Sequence, residues 1–216
     1  MRSIKIELYS IDVKDVKSPS GSLRAERATI TRRRIEQTAR SLFAARGYGA
    51  TTLREIADEA GVAVQTVYAV YASKANILRA LTRALADDAG ADAAYGEALA
   101  AADTSAALTH FAHSIRLRWE TGHDIVAIGN DAASIDPAIR EETERLLARR
   151  RGGIANLVRS MATRDASLID QPRVLAVIDA LTLPAMYADL VEGHGWTPDE
   201  FEAWLALVLR RSVREL

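Results

Sequence analysis

Residues 52–71 read TLREIADEAGVAVQTVYAVY, and this stretch decides the fold. Thr52 stands three residues before Glu55, the spacing of a capping box. The threonine hydroxyl accepts an orphan N–H of the first turn, and the glutamate reaches back to the threonine's own N–H. A short helix with Leu53, Ile56, Ala57 and Ala60 on its inner side follows. Gly61 ends it in a tight turn. Val64, Val67, Tyr68 and Tyr71 then mark a second short helix by their spacing. Two short helices joined by a glycine turn have the form of a helix-turn-helix. The second helix of such a pair can enter a major groove while the first braces it across the backbone.

Outward from this core the pattern stays helical. Upstream, Ile35, Ala39, Leu42 and Phe43 fall at i, i+4, i+7 and i+8, one apolar face, and Gly47 stops that helix near Arg46. Downstream, Ser73 can cap a helix carrying Ile77, Leu78, Leu81 and Leu85. Asp103 or Thr104 can cap the next, with Leu108, Phe111, Ile115 and Trp119 on one face and Gly122 as an interruption. Asp136-Pro137 opens a helix with Leu146, Leu147, Ile154, Leu157 and Met161, proline sitting in the first turn. Pro172 opens another, with Val174, Leu175, Val177, Ile178 and Leu181. Pro184 falls inside that pattern and predicts a kink. Gly193-His194-Gly195 breaks it, and Thr197-Pro198-Asp199-Glu200 is a second capping box before Trp204, Leu205, Val208 and Leu209.

Alternation with period two occurs only at Ile4, Ile6 and Leu8, which predicts one short strand. Ser18 to Ser22 reads as a flexible linker, so residues 1–27 are expected to form a mobile arm. The rest predicts an all-α fold of about nine helices. A three-helix head with the helix-turn-helix occupies residues 28–75, and a helical regulatory and dimerisation domain occupies residues 76–216.

The chain has 216 residues, 49% hydrophobic and 26% charged, which excludes wholesale disorder. No run of about 18 apolar residues appears. Cysteine is absent, so there is no disulfide framework and no thiolate metal site. The first residues lack the charged, apolar, small order of a secretory signal, so a cytoplasmic protein is expected. The net charge of −1 conceals an asymmetry. Residues 22–90 hold 11 basic and 7 acidic groups, while residues 91–216 hold 13 basic and 19 acidic. A basic module on an acidic remainder points to a polyanion partner for the first part only. Tyr48, Thr51, Thr52, Gln65, Thr66, Tyr68 and Lys74, all hydrogen-bond donors, cluster around the turn, as phosphate recognition requires.

The run from Arg34 to Phe43, then Gly47-Tyr48, Thr51-Thr52, Ile56-Ala57, Ala60-Gly61-Val62, Thr66-Val67-Tyr68, Tyr71 and Lys74, resembles the N-terminal signature of TetR-type transcriptional regulators. Many positions agree in order and spacing, with no gap, from about residue 30 to residue 80. Leu181 to Tyr187, Gly195-Trp196-Thr197 and Trp204-Leu205 are similar to the last two helices of many members. The resemblance implies a homodimer of all-helical subunits that pairs through residues of about 171–193 and 198–214. It further implies a palindromic double-stranded DNA operator, repression relieved by a small, largely apolar molecule, and no catalysis, cofactor or membrane.

Each candidate residue has its own chemistry. The amide of Gln65 can pair bidentately with adenine. Thr66 and Tyr68 match family positions on the phosphate backbone, with Thr52 and Tyr48 on the other side. Lys74 would meet a phosphate as a point charge. Val64 and Ala69 can touch thymine methyls. Ala63 stands where many members have the serine or threonine that caps the recognition helix, and Val70 where many have a phosphate-binding histidine. Arg24, Arg27, Arg32, Arg33 and Arg34 are either a solvated charge run or an arm toward a minor groove. For the effector, His110, His113, Trp119, His123 and Tyr187 are the candidate anchors in an otherwise apolar pocket.

Two other readings stand beside this one. One is a helical DNA-binding dimer without an effector. The other is a metal-dependent helical-bundle enzyme, since Glu120 and His123 have the Glu-x-x-His spacing of di-iron bundles. That site needs a second such pair and two more glutamates, and Gly122 lies inside this one. No His-Glu-x-x-His motif, nucleophile elbow or phosphate-cradling glycine loop is present.

Overall fold

The apolar stripe of Ile35, Ala39, Leu42 and Phe43 belongs to a helix longer than its periodicity suggests. In the computed structural model, which describes residues 19–166, 168 and 171–215, helix α1 spans Pro19–Arg46. It begins inside the stretch expected to be a linker. Proline suits a first turn, and Leu23 to Ala28 is a run of strong helix formers. The strand expected over Ile4 to Leu8 lies outside the described residues. Among the described residues there is no strand.

Helices α2 (Leu53–Glu59) and α3 (Val64–Tyr71) complete the head. Both signals read at the start of α2 are realised. Thr52 accepts from the backbone N–H of Glu55, and the Glu55 side chain accepts from the Thr52 N–H. Gly61 has φ of +61°, the left-handed region that a Cβ disfavours, and this lets the chain reverse between α2 and α3. Ile35, Ala39, Phe43, Ile56, Ala57 and Val67 close the head's core, and Val62 is half-buried at its edge.

The connecting helix α4 (Lys74–Ala86) leaves the head with Ser73 as its cap. Helices α5 (Ala89–Ala100), α6 (Thr104–Ile135), α7 (Pro137–Ala162), α8 (Gln171–Leu181), α9 (Pro184–Tyr187) and α10 (Pro198–Arg214) form the body. A π-helical turn, Ala188–Gly193, continues α9. Among the described residues ten α-helices thus stand against the nine or so expected. Helix α6 is the axis of the body, packed against α4, α5, α7, α9 and α10. The alanine face of α5 (Ala91, Ala94, Ala98) is buried.

Two interruptions shape the interior. At Gly122 the path of α6 breaks, with φ −159° and ψ 20°. A Cβ built there would lie 2.4 Å from Leu85 Cδ1, so glycine is what lets α4 come this close. The kink expected at Pro184 is instead a full stop. Helix α8 ends at Leu181, α9 restarts with proline in its first turn, and the two segments meet at 46°. Proline cannot donate to the ladder, and Leu183, just before it, takes the extended backbone that a following proline favours. Among the described residues no single helix is long and apolar enough to cross a membrane.

Candidate nucleic-acid interface and interior cavity

Helix α3 has two faces. Val67 and Tyr71 point inward and are buried. Gln65, Tyr68 and Ala69, at i, i+3 and i+4, share the exposed face, Tyr68 with 54% of its surface free. Val64 and Thr66 are half-buried beside them, and Thr52 is exposed at the start of α2. This surface offers an amide, a phenol, two threonines and small apolar side chains. Ala63 stands at the N-cap of α3 with no side-chain cap bond, and Val70 is exposed, so both departures read in the sequence are present in space.

The other three expected DNA contacts bond within the protein, Tyr48 and Thr51 buried and Lys74 half-buried. Tyr48 is 4% exposed, its ring packed on Phe43 with centroids 5.2 Å apart. Its hydroxyl is pushed up to about 12 by burial and by the neighbouring Asp136 carboxylate. Thr51 is 1% exposed and donates to the Gly47 carbonyl at 2.9 Å. Lys74 Nζ donates to the Tyr48 carbonyl at 2.6 Å and lies 4.6 Å from the centre of the Tyr48 ring. These residues fix the loop between α1 and α2. A donor in the right stretch of sequence is not a donor at the surface, because the loop's own carbonyls compete for it.

Three contacts tie the head to α6 and its C-terminal corner. Arg40 Nε donates to Asp124 Oδ2 at 2.6 Å, and its Nη2 donates to Asp124 Oδ1 at 2.5 Å and to the Thr121 carbonyl at 2.8 Å. The Tyr48 N–H donates to Asp131 at 2.9 Å. A Cβ on Gly49 would sit 3.1 Å from Ile135.

Beside that joint lies a cavity of about 740 Å³. Helix α4 contributes Leu78, Thr82 and Leu85, α6 contributes Phe111, Ile115, Trp119, Val126 and Asn130, and α7 contributes Ile139, Leu146, Arg150 and Ile154. Leu183, Pro184 and Ala185 close one end. The lining is mainly apolar with a few polar anchors, the usual character of a small-molecule site. Its size is also within the usual range for such sites.

Of the five residues expected to anchor an effector, Trp119 alone lines this cavity. Its Nε1 donates to the Thr182 carbonyl at 3.0 Å. His110 lies 3.1 Å from Glu97, and His113 lies 2.9 Å from Glu202, both at helix–helix seams outside the cavity. His123 is 2.7 Å from the Trp119 carbonyl and 3.0 Å from Glu192. Tyr187 is buried between His123 and Phe201. Glu120 faces Arg116 at 3.3 Å, so the Glu120/His123 pair is divided between separate partners. Among the described residues no group of three His, Asp or Glu side chains could hold a metal ion.

Arg150 is the cavity residue that sequence reasoning missed. It pairs with Asp179, and its Nη2 donates to Thr182 Oγ1 at 2.7 Å and to the Asp179 carbonyl at 2.9 Å. Its Nε is buried with no hydrogen-bond partner among the described residues. The signal was a charge on an apolar stripe, since Arg150 precedes Ile154, Leu157 and Met161 at helical spacing.

Residues 35–81 match the model of the family of bacterial regulatory proteins called tetR. The matched span is the head together with the first part of α4. Likeness in fold extends to the body. FadR of Bacillus halodurans, a fatty acid degradation regulator, superimposes with a TM-score of 0.66 at 14% identity, over 83% of this chain and 94% of its own. A transcriptional regulator of Saccharomonospora viridis solved in complex with choline gives 0.60 at 24%, over 82% and 94%. PfmR of Thermus thermophilus, also described as TetR family, gives 0.59 at 22%, over 82% and 94%. No curated protein matches the chain. The TetR-type regulators it resembles in fold and head are transcription factors, not enzymes.

Proposed function

We propose that this chain is a ligand-controlled transcriptional repressor that binds a palindromic operator as a homodimer. The observation that carries the reading is a shared wall. Helices α4 and α6 line the cavity, α6 holds the head through Asp124 and Asp131, and α3 of that head exposes Gln65 and Tyr68. Residues 28–75 act as the DNA-binding domain, and residues 76–216 bind effector and pair the subunits through 171–193 and 198–214. Two recognition helices then enter successive major grooves about 34–36 Å apart.

Within the head, Gln65 reads a base, Val64 and Ala69 touch thymine methyls, and Thr52, Thr66 and Tyr68 hold phosphates. Lys74 adds its charge at the edge. The effector is a small, largely apolar molecule. It favours a head spacing that no longer spans both half-sites, and a tenfold loss of DNA affinity needs about 1.4 kcal/mol of preference for that state. The action belongs to the cytoplasm, where the operator is.

Fluorescence anisotropy against DNA from upstream of the chain's own gene, beside a scrambled duplex, tests this. Tight binding to the first alone, weakening with salt, supports it, and Gln65→Ala then changes base preference with little change in salt dependence. Equal weak binding to both duplexes counts against a specific regulator.

A further inference from the structure

We propose that the N-terminal extension of α1, residues 23–34, is a second DNA-contact element running past the helix-turn-helix along the phosphate backbone. The inference rests on the DNA-binding reading above. The family match starts at Ile35, which is also the first buried residue of α1. Before it, residues 23–34 are helical, and only Thr31 is even half-buried. At about 1.5 Å per residue this free rod reaches about 18 Å beyond the head. An isolated helix of that length is marginal in water, so the extension is the part of the head in want of a partner.

Its chemistry says which. Arg24, Arg27, Arg32, Arg33 and Arg34 are opposed only by Glu26. None of the five arginines has a salt-bridge partner among the described residues, and all five are exposed. At about 100° per residue, Arg24, Ala28, Thr31 and Arg32 continue the same stripe that Ile35, Ala39 and Leu42 bury. The core-facing side of α1 thus turns, beyond the head, into guanidinium groups separated by small residues. An apolar protein surface would have to desolvate those charges. A phosphate chain receives forked donors from them, and the small residues let it come close.

The stripe also starts in the right place. Arg32 lies near enough to act electrostatically on Tyr71, whose hydroxyl donates to Glu36 at 2.7 Å. Tyr71 ends α3. The extension therefore departs from beside the last turn of the helix that presents Gln65 and Tyr68.

The test needs no operator. The full chain is titrated onto a mixed-sequence duplex of about 40 base pairs between about 50 and 200 mM salt. The variant is Arg24→Ala with Arg32→Ala. Alanine keeps an exposed helix, which circular dichroism verifies. The slope of log K against log salt should become shallower by about 0.9 for each lost contact, and low-salt affinity should fall roughly tenfold. Arg24→Lys with Arg32→Lys should keep the slope, because the slope counts charges. An alanine variant with the slope and affinity of the unmodified chain overturns the inference and leaves the DNA reading standing. An unmodified chain without salt-dependent binding overturns both. A variant altered only in oligomeric state, with its slope intact, makes the stripe a protein contact and also overturns the inference.

Discussion

Thr51 and Thr52 are neighbours of the same type in the same loop, yet they do different work. Thr52 faces water and caps α2, where it stays available to a phosphate. Thr51 is buried and donates to the Gly47 carbonyl, with the Leu42 carbonyl 3.4 Å away. Thr51→Ala leaves a buried acceptor without its donor, so it should cost about 1–3 kcal/mol of stability. Denaturant unfolding reads that loss. Nonspecific DNA affinity, measured well below the unfolding midpoint, should stay unchanged, since no phosphate contact is removed. A variant of full stability that binds DNA poorly would return Thr51 to the interface. Arg150 makes the complementary point. A charged side chain within an apolar helix face marks a buried polar network, here with Asp179 and Thr182.

At the scale of elements, helix α3 lacks one of the usual supports. Its N-cap is Ala63, with φ −64° and ψ 141°, already the extended geometry of a capping residue. Only the hydroxyl is missing. Ala63→Ser should therefore stabilise the protein by about 0.5–1 kcal/mol, seen as a higher unfolding midpoint with an unchanged denaturant slope. No gain, or a loss, would mean that the serine finds no N–H to accept from. The helices themselves were legible because their caps and stripes are written locally: Thr52 with Glu55, Asp136 with Pro137, Thr197 with Glu200. Their ends were less so. The start of α1 at Pro19 and the break before Pro184 depend on how far a helix can run before something stops it.

Across the whole molecule, the Arg40–Asp124 pair is the ion pair in the joint between head and body. Burial pushes the Asp124 carboxyl up, but the hydrogen bonds and charge of Arg40 outweigh it and hold the group below its ordinary range. A depressed native value contributes stability above the unfolded carboxylate value of about 4, and that contribution is lost as pH falls through the native value. Asp124→Asn should thus lower the melting temperature at neutral pH, and its gap to the unmodified chain should close below about pH 4. Melting curves at a series of pH values check this. A gap that persists at low pH would mean that the pair's charge is not what holds the joint.

Sequence alone determined the all-α class, the helix-turn-helix and the exposed face of α3, because these follow from spacing within a few residues. Caps, turns and apolar stripes are short-range facts, and Gln65 and Ala69 fall opposite Val67 and Tyr71 on any α-helix. Tertiary structure alone decided what the loop donors meet. Tyr48 is buried against Phe43 with Asp136 at its hydroxyl, and Lys74 donates to the Tyr48 carbonyl, while Thr51 is held by the nearby Gly47 carbonyl. It also decided the cavity. Leu78, Trp119, Leu146 and Pro184 stand on four different helices, and a shared void is a property of how helices pack, which no single helix's periodicity contains.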